Sequence, residues 1–182
     1  MIAPKGSVGR GRVIATAVIA GVLGISNPAF AQSLEAAIKA TYLYKFAPFV
    51  AWSAKAFETP ASPLTVCVQG DDPFGILLDR AVADQKFSGR AIAVRRMEAA
   101  EGGSGCHIVY LGGSRKQSRV DALKALRGAG VLTVTDGGPG AIRFVMKDNR
   151  VRFEIDTTEA AQGGVTLSSK LLSLAAKVRG RP

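Results

Sequence analysis

His107 is the only histidine among 182 residues, and it follows Cys106 directly. Any serine hydrolase in this chain would have to use it as base. No G-x-S-x-G elbow is present to present a nucleophile, so a structural or merely exposed histidine is the simpler reading. Ser168 and Lys170 suggest a Ser–Lys pair. A spacing of two puts them on different sides of a helix, where Ser168 suits a first turn. Asp71 and Asp72 offer two adjacent carboxylates for acid–base work or a cation. A turn and a helix cap use both residues as well. Gly112-Gly113-Ser114 and Asp136-Gly-Gly-Pro-Gly140 are glycine loops following apolar runs, where α/β folds often take ligands. Neither carries a dinucleotide or phosphate-loop fingerprint. A small anion at a helix N-terminus there is the ligand-binding alternative. The inventory calls for no catalytic residue, cofactor or metal. One histidine and two cysteines fall short of a zinc set.

Export explains the cysteines better. Lys5, Arg10 and Arg12 precede an apolar run from Val13 to Ile25, and Ala29-Phe30-Ala31 fits a signal-peptidase site. Residues 1–31 read as a cleavable leader, with Gln32 opening a single domain over 32–182. The run is shorter than the ~20 residues that span a bilayer. No cysteine follows it for lipid attachment, and Gly11 splits the arginines of a twin-arginine signal. An exported, even pair of cysteines usually oxidises, which points to Cys67–Cys106. No C-x-x-C spacing argues for redox catalysis.

The leader holds three of the 24 Lys and Arg and none of the 14 Asp and Glu, leaving +7 on residues 32–182. Such an excess favours acidic partners or serves as a solvated surface. Nucleic acid is a poor fit, since the charge forms no dense run and aromatic residues do not interleave with it.

These groups need elements to hold them. A helix is expected from Leu34, capped by Ser33, with Ile38, Tyr42, Phe46 and Phe49 on one face and Pro48 at its end. Leu64–Gln69 reads as a strand, and Asp72 and Pro73 as the cap and first residue of a helix bearing Phe74, Leu77 and Leu78. Strands follow at 91–95, 106–111 and 131–135. A helix carrying Val120, Leu123 and Leu126 falls between the last two and is stopped by Gly128 or Gly130. Ile142 to Ile155 alternates as a hairpin about Asp148-Asn149, setting Arg143 opposite Glu154 and Lys147 opposite Arg150. After Gly163-Gly164, one last helix is expected to align Leu167, Leu171, Leu174 and Val178, with Lys177 and Arg179 near its C-terminus. The order implies one α/β domain: a mostly parallel central sheet flanked by helices, with a late antiparallel hairpin.

Six segments, in order, resemble the YfiR-like family of bacterial periplasmic proteins. They are Ala40-Thr-Tyr-Leu-Tyr-Lys-Phe46 with Phe49 and Trp52; Val66-Cys-Val68 with Gly70-Asp-Asp-Pro-Phe-Gly75; Cys106-His-Ile108; Leu132-Thr-Val-Thr-Asp136; Asp148-Asn-Arg-Val-Arg-Phe-Glu-Ile155; and Leu167-Ser-Ser-Lys-Leu-Leu172. The resemblance implies a non-enzymatic periplasmic regulator. It would bind the periplasmic sensor region of an inner-membrane diguanylate cyclase and hold it inactive. An outer-membrane, peptidoglycan-associated lipoprotein would draw it away, raising cyclic-di-GMP and biofilm output. Homodimers are common in the family. Cys67 and Cys106 fall at a family disulfide, while a second family pair near the late hairpin is missing here. Candidate partner contacts are Tyr42, Phe46 and Phe49 on the first helix, with Arg150 and Arg152 on the hairpin. Core packing and sheet-surface pairing are the plainer roles for those groups.

Overall fold

The computed structural model describes residue 2, residues 28–53 and residues 56–180. Apart from Ile2, residues 1–27 of the expected leader lie outside the described residues. The chain then runs α1 (Pro28–Lys45), β1 (Val50–Ala51), β2 (Leu64–Gly70), α2 (Ile76–Val82), β3 (Lys86–Phe87), β4 (Arg90–Met97) and β5 (Ile108–Gly113). It continues through α3 (Arg119–Ala125), β6 (Leu132–Thr135), β7 (Ile142–Lys147) and β8 (Arg150–Asp156). It ends with α4 (Thr157–Gln162), β9 (Thr166–Leu167), α5 (Ser169–Leu174) and β10 (Lys177–Arg179).

Eight strands form one sheet in the order β10-β8-β7-β6-β5-β2-β4-β3. The five from β7 to β4 are mutually parallel. The hairpin partner β8 runs antiparallel to β7 and the short β3 antiparallel to β4, while β10 is parallel to β8. β1 and β9 make a separate antiparallel pair. The expected α/β class, parallel sheet and late hairpin are all present. Arg143 faces Glu154 and Lys147 faces Arg150, as the alternation required. Asp148 and Asn149 turn the chain with φ of 50° and 54°.

β2 is laid down first. The chain then adds β4 on one side of it and β5 on the other, so the strand order reverses at β2/β5. Parallel strands buried on both faces read as apolar runs, as residues 66–68 of β2 and 108–111 of β5 do, whereas β6 alternates Leu132 and Val134 with the buried Thr133 and Thr135. On one face, Val66 and Val68 of β2, Tyr110, Val134, Phe144 and Phe153 pack under α1 and α2. On the other, Cys67, Val109 and Leu111 pack under Leu123 and Leu126 from α3 and the turn after it.

Four local expectations need correction. Ser33 lies inside α1, which starts at Pro28. A proline in the first turn lacks only a donor that would go unused, and the alanines after it favour helix. α2 starts at Ile76, because Asp72 Oδ1 instead closes a turn by accepting the N–H groups of Phe74 (2.8 Å) and Gly75 (3.1 Å). The strand expected at 91–95 is longer, and β3 folds back on it. The last helix is broken into three pieces. Leu167 pairs with Val50 in β9, α5 covers only Ser169–Leu174, and Val178 lies in β10 opposite Ile155. Apolar residues three and four apart fit a helix, but β1 and β8 offer unpaired backbone that strands can satisfy. Lys177 and Arg179 therefore extend the sheet and do not cap a helix.

The disulfide joins Cys67 of β2 to Cys106 just ahead of β5, with Cα atoms 5.9 Å apart and a sequence separation of 39. It lies on the α3 face of the reversal point. Closing a loop of that length stabilises the fold by about 4 kcal/mol on the chain-entropy model. Alkylation and intact-mass analysis should find no thiols before reduction and two after it. Urea unfolding of Cys67→Ala/Cys106→Ala should show a loss of about that size, and two alkylated thiols in the unreduced protein would refute the bond.

Candidate functional site

His107, Ser168 and Asp72 are engaged in structural bonds. His107 Nδ1 accepts the Thr65 N–H at 3.0 Å, so Nε2 carries the proton toward the Ala56 carbonyl at 2.9 Å. Phe57 stacks on the ring at 4.2 Å between centroids, and Trp52 meets it edge-on. Burial disfavours the charged ring and pulls its pKa below the usual value. The Ala56 carbonyl partly opposes that, and the Arg90 charge adds to it. Ser168 is the N-cap of α5, accepting the Leu171 N–H at 3.3 Å, while Lys170 is exposed and makes no hydrogen bond to it. Asp72 Oδ2 accepts Arg96 Nε at 2.7 Å, and Arg96 also grips Asp79, fastening β4 to α2.

The glycine loops after β2 and β5 are locked onto each other. Gly70 has φ of 75°, and the Asp71 N–H donates to the Gly113 carbonyl at 2.8 Å. A Cβ on Gly112 would fall on the Asp71 carbonyl. Gln69, fully buried, accepts the Gly113 N–H and donates to the carbonyls of Glu98 and Gln117. These glycines serve loop-to-loop approach, and beside them Asp71, Gly113, Ser114, Arg115 and Arg119 border an open, mainly polar depression of about 470 Å³.

The outer surface of α1 is open and mainly apolar. Leu34 is 54% exposed and Ile38 37%. Ala37, Ile38, Thr41, Tyr42 and Lys45 line a groove of about 360 Å³. Beneath it, Tyr42 stacks on Phe46 and meets Phe153 edge-on, each at 5.8 Å, while Phe46 meets Phe153 at 5.2 Å. Each such pair adds about 0.5–1.5 kcal/mol beyond area burial. Lys39 fixes the helix from its inner side. It is 5% exposed and binds Glu35 and Asp136 together. Burial opposes its charge, but the hydrogen bonds to Asp136 and Glu35 outweigh that and raise its pKa. The groove is thus carried on a helix held to the sheet by an aromatic block and a buried ammonium.

The five expected contact residues are not brought together. Tyr42 borders the groove, Phe49 is half-buried in the turn after α1, and Phe46 is core at 2% exposure. Arg150 and Arg152 project from the opposite face of the sheet, because Val151 and Phe153 between them face α1. Leu34, Ala37 and Thr41 were not singled out in the sequence. Their signal was there: Leu34 and Ile38 continue the four-residue step of the Tyr42 stripe beyond the sheet that buries the rest of it.

Among the described residues no helix is long and apolar enough to cross a membrane, and no cluster of three His, Cys, Asp or Glu could hold a metal. A protein-family model described as YfiR/HmsC-like matches residues 36–176. No curated protein matches the chain.

The His107 geometry sets a pH dependence. A histidine whose folded pKa is depressed contributes stability in full above its ordinary value of 6.5. That contribution is lost as pH falls through the lower folded value, because the unfolded chain takes up the proton first. Urea midpoints should therefore decline from pH 6.5 downward. His107→Phe should be less stable at neutral pH and should flatten that decline. An unchanged slope in the variant would assign the decline to other groups.

Proposed function

Because this chain belongs to the YfiR/HmsC-like family, whose members are periplasmic regulators, we propose that it restrains a membrane signalling protein by binding its periplasmic sensor region. The expected partner is an inner-membrane diguanylate cyclase. The observation that carries the reading is the open apolar groove on α1, while His107 and Ser168 are committed to structural bonds elsewhere in the fold. The disulfide fits an oxidising compartment.

Ile38 and Tyr42 are suitable anchors for a partner, with Lys45 also lining the groove and Leu34 exposed one helical turn before Ile38. A restraining protein must bind one conformer of its target more tightly than the other. Moving a sensor from almost wholly active to almost wholly inactive takes about a 10⁴-fold preference. A groove on a rigid helix suits this, since little ordering is needed on binding. An outer-membrane, peptidoglycan-associated lipoprotein competing for this protein would relieve the restraint. A second copy of the chain is a further expected partner.

Deleting the gene should raise cyclic-di-GMP in its host, and an unchanged level while the protein is made would refute the cyclase reading. Leu34→Glu/Ile38→Glu alters exposed positions. It should weaken co-purification with the sensor by roughly 30-fold, the size of a lost anchor, while thermal unfolding stays near that of the parent. Undiminished co-purification would move the contact off α1.

A further inference from the structure

The face of the β7–β8–β10 corner turned away from α1 is a sheet surface of one dominant charge. Alternation sends Arg143 and Lys147 outward from β7 and Arg150 and Arg152 outward from β8. The parallel register of β10 puts Lys177 beside Glu154. Arg179 reaches the same carboxylate at 2.9 Å, and Arg143 binds it too. Glu154 is thus shared by two arginines, and the hydrogen bond from Arg143 heads the causes that lower its pKa. The Asp156 carboxylate at the far end accepts the Thr158 and Glu159 N–H groups. Asp148 lies in the hairpin turn.

Lys147, Arg150, Arg152 and Lys177 are exposed and form no ion pair among the described residues. Lys147 and Arg150 stand directly opposite each other across the hairpin. Like charges so placed destabilise a sheet. A layer of anions over the face turns that repulsion into attraction.

We propose that this face docks on an anionic phospholipid surface. The choice over an acidic protein rests on shape and composition. Protein interfaces are organised around buried apolar or aromatic anchors. The outward side of β7 and β8 offers only the half-buried Val145 among its charges. A concavity of about 290 Å³ lies at the inner end, where Arg143, Arg179 and Glu154 already satisfy each other. Four unpaired cations spread over a flat sheet match a plane of headgroup phosphates, each adding about fivefold in affinity. The inference does not rest on the partner reading. The α1 groove lies on the other side of the sheet and stays open when this face is occupied.

The test is sedimentation of the purified, oxidised protein with vesicles of phosphatidylcholine, with and without phosphatidylglycerol. Binding should require phosphatidylglycerol and vanish at high salt, where charges are screened. Arg150→Gln/Arg152→Gln/Lys177→Gln should lose about a hundredfold in affinity. Arg150→Lys/Arg152→Lys should retain it, and circular dichroism should verify the fold of each. Arg80→Gln/Lys86→Gln/Lys116→Gln removes equal charge elsewhere and should lose far less. Failure to sediment with phosphatidylglycerol vesicles overturns the proposal. So does equal loss in the two glutamine triples, which would mean net charge alone, or capture of polyglutamate with no vesicle binding.

Discussion

The pairing of β2 with β5 is the constraint on which the rest depends. It lies where the strand order reverses, so every other strand and helix is placed relative to it. The pair is fastened along its length by different chemistry. Near its start, Thr65 donates to the His107 ring and accepts from the His107 backbone, extending the ladder by one step. The disulfide bridges it on one face. At its end, the Gly70 and Gly112 backbones approach closely enough that no side chain fits, and the buried Gln69 amide ties both strands to the segments after β4 and β5. Parallel strands so distant in sequence incur a closure cost before their contacts form. Covalent and buried polar fastening at this seam offsets it.

Much of this was legible from residue types. The hairpin could be placed to the residue, because alternation and a two-residue turn admit only one register that buries Phe144 and Phe153. The parallel core was visible in its apolar runs. The C-terminal quarter was misread in part: Leu167, Leu171, Leu174 and Val178 satisfy a helical step, and Leu171 and Leu174 do lie in α5, but Leu167 and Val178 pair with backbone edges at Val50 and Ile155 far away in the chain. α4 was missed although Asp156 and Glu159 stand at capping distance, with Asp156 accepting the N–H groups of Thr158 and Glu159. The same misreading hid Lys177 and Arg179 from the charged face. The candidate contacts were drawn from one stripe and one hairpin without knowing that a sheet lies between them. Burial then removed Phe46 and brought Ile38 forward.

The two sides of the sheet have come to differ in kind. Toward α1 the hairpin contributes Phe144 and Phe153 to an aromatic block that supports an apolar groove. Away from it the same strands present guanidinium and ammonium groups. Period-two alternation alone produces the contrast, so one short hairpin serves hydrophobic recognition on one side and charge on the other. Lys39 keeps the arrangement rigid, since its ion pair with Asp136 links the helix to the loop between β6 and β7.

The stubs at the ends of the sheet also have a consequence. β3 has two residues and β10 three, and β10 is fully exposed and carries Lys177 and Arg179. Short, cationic margins are poor templates for strands from other molecules. Were the last four described residues cut away, the seven-residue β8 would become the border, with a row of bare amide and carbonyl groups and an apolar side reaching Ile155. The small C-terminal strand pairs with Glu154, Ile155 and Asp156 alone, so it covers the end of β8 that carries Ile155 and leaves the turn end to its exposed arginines.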